Sequence, residues 1–135
     1  MLIATIMGSL IGSERKSHGF EIGGRTYALV ALGAAVVTSF ARDVFGENAP
    51  HIIAGVLTGI GFLGAGVIIK QLSEEVRGLT TATSIWATAV MGIVIGGGYL
   101  IPGVFAFFLI LMILSWKSIQ NKLSGLKFTD SGKSE

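Results

Sequence analysis

The amino-acid sequence predicts an all-α, polytopic membrane bundle of four to five transmembrane helices. Of the 135 residues, 51% are hydrophobic, only 13% are charged, and a further 20 are glycine. Soluble domains contain about 45–50% apolar residues, glycine included, and about 25% charged residues, so the composition excludes an ordinary soluble domain. No Asp, Glu, Lys or Arg interrupts residues 26–41, 52–69, 79–101 or 103–116. Because a spanning helix needs about 20 predominantly apolar residues, each stretch is a candidate span.

The chain opens with a shorter apolar stretch at residues 2–12. As a helix it would rise only about 16 Å, which is too short to cross a bilayer. It lacks the basic start and the small-residue cleavage site of a signal peptide. It is therefore predicted to be a half-helix, or the end of a helix whose upstream residues are missing from this sequence.

The positive charges predict the orientation of the helices. If five helices alternate, nine of the ten Lys and Arg residues lie on one side of the membrane and Arg42 lies alone on the other. Cytoplasmic loops carry the excess of positive charge, so we expect the N-terminus outside and the C-terminus in the cytoplasm. This distribution of Lys and Arg holds only if residues 79–116 form two helices with a turn between them. The glycines and the proline of residues 96–103 are typical turn residues. Residues 1–116 form the predicted transmembrane domain, and residues 117–135 form a polar cytoplasmic tail with no soluble C-terminal domain.

The stretch at residues 51–66 is unusually rich in glycine. Each glycine costs a helix about 1 kcal/mol relative to alanine, and close approach between membrane helices compensates for such a cost. We expect a central helix that is packed on both flanks, or alternatively a backbone-lined pathway or an unwound ligand-binding stretch. A G-x-G-x-x-G pattern occurs here inside an apolar helix, without the preceding strand of a nucleotide site. The five helix-packing candidates are Gly55, Gly59, Gly61, Gly64 and Gly66.

The helix that begins near residue 79 carries hydroxyl side chains. Either Thr80 or Thr81 is predicted to cap its first free amides. Thr80, Ser84 and Thr88 recur at i, i+4 and i+8, which predicts a hydroxyl stripe along one face. Such hydroxyls usually bond to the backbone or to a neighbouring helix, and the alternatives are a polar pathway or a groove that receives another helix.

Charged and hydroxyl residues are predicted to cluster at the cytoplasmic ends of the helices. Charges at the hydrocarbon boundary must pair or reach the interface, so we expect Glu14 to pair with Arg25 or Arg77. The alternative is a solvated basic rim that only sets the topology. The members of this candidate functional cluster are Glu14, Arg15, Arg25, Thr26, Arg77, Thr80 and Thr81.

The chain contains a short internal similarity. Arg25-Thr26 and Arg77-Gly78-Leu79-Thr80 each follow a small-residue-rich stretch and open an alanine-rich one. The first four helices are therefore predicted to form two parallel, repeated hairpins with a fifth helix appended.

Several motifs together resemble the membrane domain of the MgtC/SapB family. They are Ile11-Gly12-Ser13-Glu14-Arg15, the residues from Gly23 to Gly33, the glycine-rich run from Gly59 to Gly66, the run from Val76 to Ala82, and Trp86. The resemblance implies a bacterial or archaeal protein associated with acclimation to low magnesium and, in pathogens, with survival inside phagocytes. It also implies binding to the membrane sector of the F-type ATP synthase. The chain departs from the family in having Gly24 where a leucine is usual, a shorter first helix and a short polar tail.

The sequence favours a non-enzymatic regulator in the cell (plasma or inner) membrane that docks on another integral membrane protein. Magnesium is bound through carboxylates and retained waters, and transporters usually carry an ionisable residue within the membrane. No acidic residue of this chain falls at mid-membrane depth, which disfavours a carrier. The alternative is a small transporter or channel for Mg²⁺ or another cation. We expect no cofactor, metal or nucleic-acid partner; the expected partners are the lipid bilayer, another membrane protein and, as an alternative assembly, further copies of the chain.

Overall fold

The computed structural model describes residues 1–17, 22–70 and 78–129, with side chains described outside 69–70 and 117–129. Within these ranges the chain forms five α-helices and no strand, which confirms the all-α prediction. A single 3₁₀ turn, Gly46–Asn48, joins the second helix to the third. The helices are α1 (Leu2–Ser17), α2 (Gly24–Phe45), α3 (Ala49–Lys70), α4 (Leu79–Gly96) and α5 (Leu100–Thr129).

A tight glycine turn separates α4 from α5, as predicted. Gly97 caps the C-terminus of α4, and its N–H donates to the carbonyls of the last helical turn. Gly98 has a φ of 91°, a left-handed conformation that glycine adopts without steric cost. The chain then enters α5, which continues past residue 116 to Thr129. The described part of the predicted polar tail is therefore a continuation of the last helix.

The helix at the centre of the bundle is α4, which contacts all four other α-helices. It runs parallel to α2, because Gly92 packs against Ala31 and Gly96 against Ala35. α1 packs on α2 in the opposite direction, because Gly8 meets Tyr27 and Gly12 meets Gly24. The C-terminal part of α3 packs on the start of α4, where Gly64 meets Ala82, and α5 contacts α4 and α1. The prediction that α3 is the central helix, packed on both flanks, is wrong for the described part of the chain. There α4 is the helix that contacts every other α-helix, and four of the five glycines of α3 have no neighbour within 4 Å.

Small residues let the central helices approach closely. A Cβ atom added at Gly92 would lie 2.5 Å from the carbonyl oxygen of Ala31, and one at Gly8 would lie 2.6 Å from the carbonyl oxygen of Tyr27. Membrane helices associate through such close packing, because lipid offers no hydrophobic driving force between them. The small residues that build the core therefore belong to α1, α2 and α4.

The outer surface of the bundle is strongly apolar. Two stretches, Gly24–Ile68 and Leu79–Gly96, are long and apolar enough to cross a membrane, and Leu100–Trp116 forms a shorter apolar helix. Only 6% of the most apolar window of the first stretch is buried, whereas a core helix of a soluble protein would be mostly buried. Large apolar side chains such as Phe62 and Ile101 are more than four-fifths exposed. This surface is that of a helical membrane bundle.

Candidate functional site

A buried arginine ties α1 to the start of α4. Arg15 is only 4% exposed, and its Nη2 atom donates a 2.8 Å hydrogen bond to Oγ1 of Thr81. Burying a guanidinium without hydrogen bonds is costly, so this contact fixes where the last turn of α1 meets the first turn of α4. Arg15 and Thr81 were both predicted members of the candidate cluster, and the structure brings them together.

A chain of hydroxyl contacts continues from this point along α4. Ser84 Oγ donates to the carbonyl oxygen of Thr81 at 2.8 Å, and Tyr27 Oη lies 2.6 Å from Ser84 Oγ. A serine hydroxyl has one hydrogen to donate, so the tyrosine is the donor to the serine. Thr88 Oγ1 donates to the carbonyl oxygen of Ser84 at 2.8 Å. The hydroxyls thus bond to the backbone and to a neighbouring helix.

The carboxylate of Glu14 contacts the last helix, α5. Its Oε1 atom accepts a 2.8 Å hydrogen bond from Oγ of Ser115 on α5. Arg25 is exposed near the start of α2, and no ion pair forms between these two described residues. The other predicted partner, Arg77, lies outside the described residues. Glu14 therefore joins α1 to α5 at the end of the bundle where Arg15 joins α1 to α4.

The buried hydroxyl stripe of α4 differs from the predicted one at its first position. Thr80 is exposed, whereas Thr81, Ser84 and Thr88 are buried, so the buried stripe runs from Thr81 rather than from Thr80. The N-cap of α4 is Gly78, with a φ of 105° and no side-chain hydrogen bond. The prediction of a threonine cap is therefore wrong, since the helix already begins at Leu79. Thr26, another predicted member of the cluster, is also exposed.

Most glycines of α3 have no close neighbour in the described part of the chain. No described atom outside the local backbone lies within 4 Å of a Cβ position at Gly55, Gly59, Gly61 or Gly66. Gly64 is the exception, because its Cβ position lies 3.5 Å from Cβ of Ala82 on α4. The other four glycines therefore do not pack against another helix in the described part of the chain.

Two structural residues were missed by sequence reasoning. Tyr27 is completely buried and is the largest fully buried side chain among the described residues. The sequence feature that could have identified it is an aromatic residue with a hydroxyl group near the start of an alanine-rich helix. Arg42, predicted to lie alone on the outer side, donates from Nη1 to the carbonyl oxygen of Gly97 at 2.6 Å. A cation at the C-terminus of a helix interacts favourably with the helix dipole, so Arg42 fastens α2 to the end of α4.

The site is a polar layer that joins α1, α2, α4 and α5 at one end of an apolar bundle. In the described ranges, no three His, Asp or Glu side chains are close enough together to hold a metal ion. Fold and site together define a small helical membrane protein whose buried polar groups connect its helices.

The chain belongs to the MgtC family, whose sequence model matches residues 1–123. The chain is 44% identical over 96 residues to the protein MgtC of Brucella abortus, covering 70% of this chain and 40% of that protein. It is 43% identical over 98 residues to the protein MgtC of Salmonella typhimurium, covering 73% and 42%. It is 36% identical over 129 residues to the protein SrpB of Synechococcus elongatus, covering 85% and 71%. The chain thus spans about two fifths of the length of these two MgtC proteins, and no solved structure matches it.

Proposed function

We propose that this chain is a non-enzymatic, multi-pass regulator in the plasma or inner membrane that docks on another membrane protein, such as a membrane subunit of the ATP synthase. One observation carries the proposal. Four glycines of α3 have no neighbour within 4 Å in the described chain, although each costs the helix about 1 kcal/mol. Close packing against a helix from outside the chain would compensate for that cost. The setting in which the regulator would act is acclimation to low magnesium or related stress, as the family resemblance implies.

The hydroxyl contacts also support a regulator rather than a carrier. The hydroxyl hydrogens of Ser84 and Thr88 are donated to backbone carbonyls, and Tyr27 donates to Ser84. These hydrogen bonds stabilise the helix and its packing on α2, which is the usual role of hydroxyl groups in membrane helices. The alternative function, a small Mg²⁺ or other cation transporter, receives no comparable support.

Two parallel measurements test the proposal: Mg²⁺ flux into liposomes and growth of a deletion strain in magnesium-poor medium. Purified full-length chain in liposomes loaded with a Mg²⁺-sensitive dye is expected to give no flux above protein-free liposomes. In a strain of the source organism lacking the gene, the wild-type chain is expected to restore growth in magnesium-poor medium, and Gly59→Leu is expected to fail at equal protein level. Cation flux that Thr81→Val abolishes would instead establish the transporter. Full complementation by Gly59→Leu would contradict docking through α3.

A further inference from the structure

Contacts between neighbouring helices align their ends at one side of the bundle. α2 begins beside Gly12 of α1. Arg15, in the last turn of α1, bonds to Thr81 in the first turn of α4. Glu14 bonds to Ser115 of α5. The end of α1, the starts of α2 and α4 and residue 115 of α5 therefore lie at one level, which we call the Arg25 level because that exposed arginine is the second residue of α2.

A second level lies at the opposite ends of α2 and α4. Arg42, in the last turn of α2, donates from Nη1 to the carbonyl oxygen of Gly97, the C-cap of α4. Gly98 and Tyr99 form the exposed turn that follows, and α5 begins at Leu100. Charged side chains and non-helical backbone exposed on the outer surface need water or lipid headgroups. This level, the Arg42 level, therefore lies at the edge of the hydrocarbon core.

The two levels are closer together than the two faces of a typical hydrocarbon core, which is about 30 Å thick. Arg25 and Arg42 are 17 residues apart on α2, a helical rise of about 26 Å. The 18 residues of α4, Leu79–Gly96, also rise about 26 Å. On α5 the apolar residues Leu100–Trp116 rise about 24 Å. Any tilt of the helices shortens the span along the membrane normal further.

The two longer helices do not widen this span. α2 continues beyond Arg42 to Phe45, but the next residue after Arg42 is the charged Asp43. α3 is 22 residues long, Ala49–Lys70, and its uncharged part, residues 52–69, again rises about 26 Å. Because Arg42 is bonded to α4, its guanidinium is not free to extend to a more distant headgroup layer. The four helices α2 to α5 thus agree on an apolar belt about 25 Å high.

We propose that the apolar belt binds preferentially phospholipids with short acyl chains. A bundle that is shorter than the surrounding hydrocarbon core is accommodated by local thinning of the bilayer, which has a modest cost for each Å of mismatch. Shorter chains remove that cost, so they are enriched next to the protein. The protein is in turn stabilised in thin regions of a membrane. The proposal concerns the lipid around the bundle and holds whichever protein docks on α3.

The two tryptophans of the chain, Trp86 and Trp116, can report the lipid contact directly. Each is about half exposed on the outer surface of the bundle. Trp86 lies seven residues from the start of α4, which is about 10 Å inside the Arg25 level and close to the middle of the belt. Trp116 follows the residue that bonds to Glu14, so it lies at the Arg25 level itself. Trp116→Phe and Trp86→Phe each leave one reporter at a known depth.

The experiment measures lipid binding by fluorescence quenching. The purified full-length chain is reconstituted in mixtures of dibrominated dioleoyl phosphatidylcholine with unbrominated phosphatidylcholines whose chains range from myristoleoyl to erucoyl. Dipalmitoleoyl phosphatidylcholine is expected to bind about two-fold more tightly than the dierucoyl lipid, with the optimum at a chain shorter than oleoyl. Bromine at the middle of the chain is expected to quench Trp86 more strongly than Trp116. Arg25→Leu is the matched variant and should keep the same optimum, because α4 and α5 set the same span.

An optimum at dioleoyl or at a longer chain, or no dependence on chain length, would overturn the proposal. Equal quenching of the two tryptophans would also overturn it, because the Arg25 level would then lie inside the hydrocarbon core. A shift of the optimum to longer chains in Arg25→Leu would show that one charge, rather than the ends of four helices, sets the span. These liposomes contain no partner protein, so the lipid preference stands or fails separately from the growth test of docking with Gly59→Leu.

Discussion

Gly92→Ala should destabilise the bundle, because α2 and α4 leave no room for a methyl group between them. The added Cβ would lie 2.5 Å from the carbonyl oxygen of Ala31 and 3.1 Å from its Cα atom. Both are backbone atoms that a side-chain rotation cannot move, so the helices must separate. Overpacking of this kind costs about 3 kcal/mol, and the better helix propensity of alanine returns about 1 kcal/mol. The expected loss is about 2 kcal/mol, or about thirty-fold in the unfolding equilibrium constant.

The matched control is Gly55→Ala on α3, where a Cβ atom meets no neighbour within 4 Å. Both variants gain the same helix propensity, so the difference between them isolates the helix–helix clash. Unfolding of both is followed by circular dichroism in mixed micelles with an increasing mole fraction of sodium dodecyl sulfate. Gly55→Ala should be as stable as wild type or more stable. Equal stability of the two variants would refute the close packing of α2 on α4.

Three further experiments test the polar contacts in the same unfolding assay. Tyr27→Phe removes the hydrogen bond to α4 and should cost about 0.6 kcal/mol or somewhat more, the usual value for a bond between membrane helices; no loss would contradict the assigned contact. Thr38 is buried, and its hydroxyl has no hydrogen-bond partner in the described part of the chain, so Thr38→Val should be neutral or stabilise by up to about 1 kcal/mol. A double-mutant cycle with Glu14→Gln and Ser115→Ala should give a coupling energy of about 1 kcal/mol, whereas a cycle between Glu14 and Arg25 should give none; the reverse result would restore the predicted ion pair.

The sequence was sufficient to predict four to five helices and the turn between the last two. Both depend on local signals: long stretches without charge, and a cluster of glycines with a proline at residues 96–103. It was also sufficient to place Glu14, Arg15 and Thr81 at one end of the bundle, because each lies at the end of an apolar stretch. Which side chains touch there depends on rotation about each helix axis. Successive side chains of an α-helix point 100° apart around the helix axis, so Thr81 can be buried while its neighbour Thr80 is exposed.

The central helix could not be identified from the sequence for a different reason. Glycines mark a surface that another helix can approach, but they do not say whether that helix belongs to the same chain. The face that packs inside this chain consists largely of alanines on α2 and of Gly92 and Gly96 on α4. Alanine is common in all helices, so this face gave no signal comparable to the five glycines of α3.

The arrangement of the contacts suggests why α3 is the helix through which a partner would act. α1, α2, α4 and α5 are joined to one another by side-chain hydrogen bonds at the ends of the bundle, through Arg15, Tyr27, Glu14 and Arg42. Thr58, by contrast, bonds within its own helix to the carbonyl oxygen of Ala54, and the described glycine contact of α3 with α4 is the van der Waals contact at Gly64. A helix held mainly by packing on one side gains most from a second packing surface. Because a ligand that binds only the folded state stabilises it, a partner helix packed against α3 would raise the stability of α3 and of the whole bundle together.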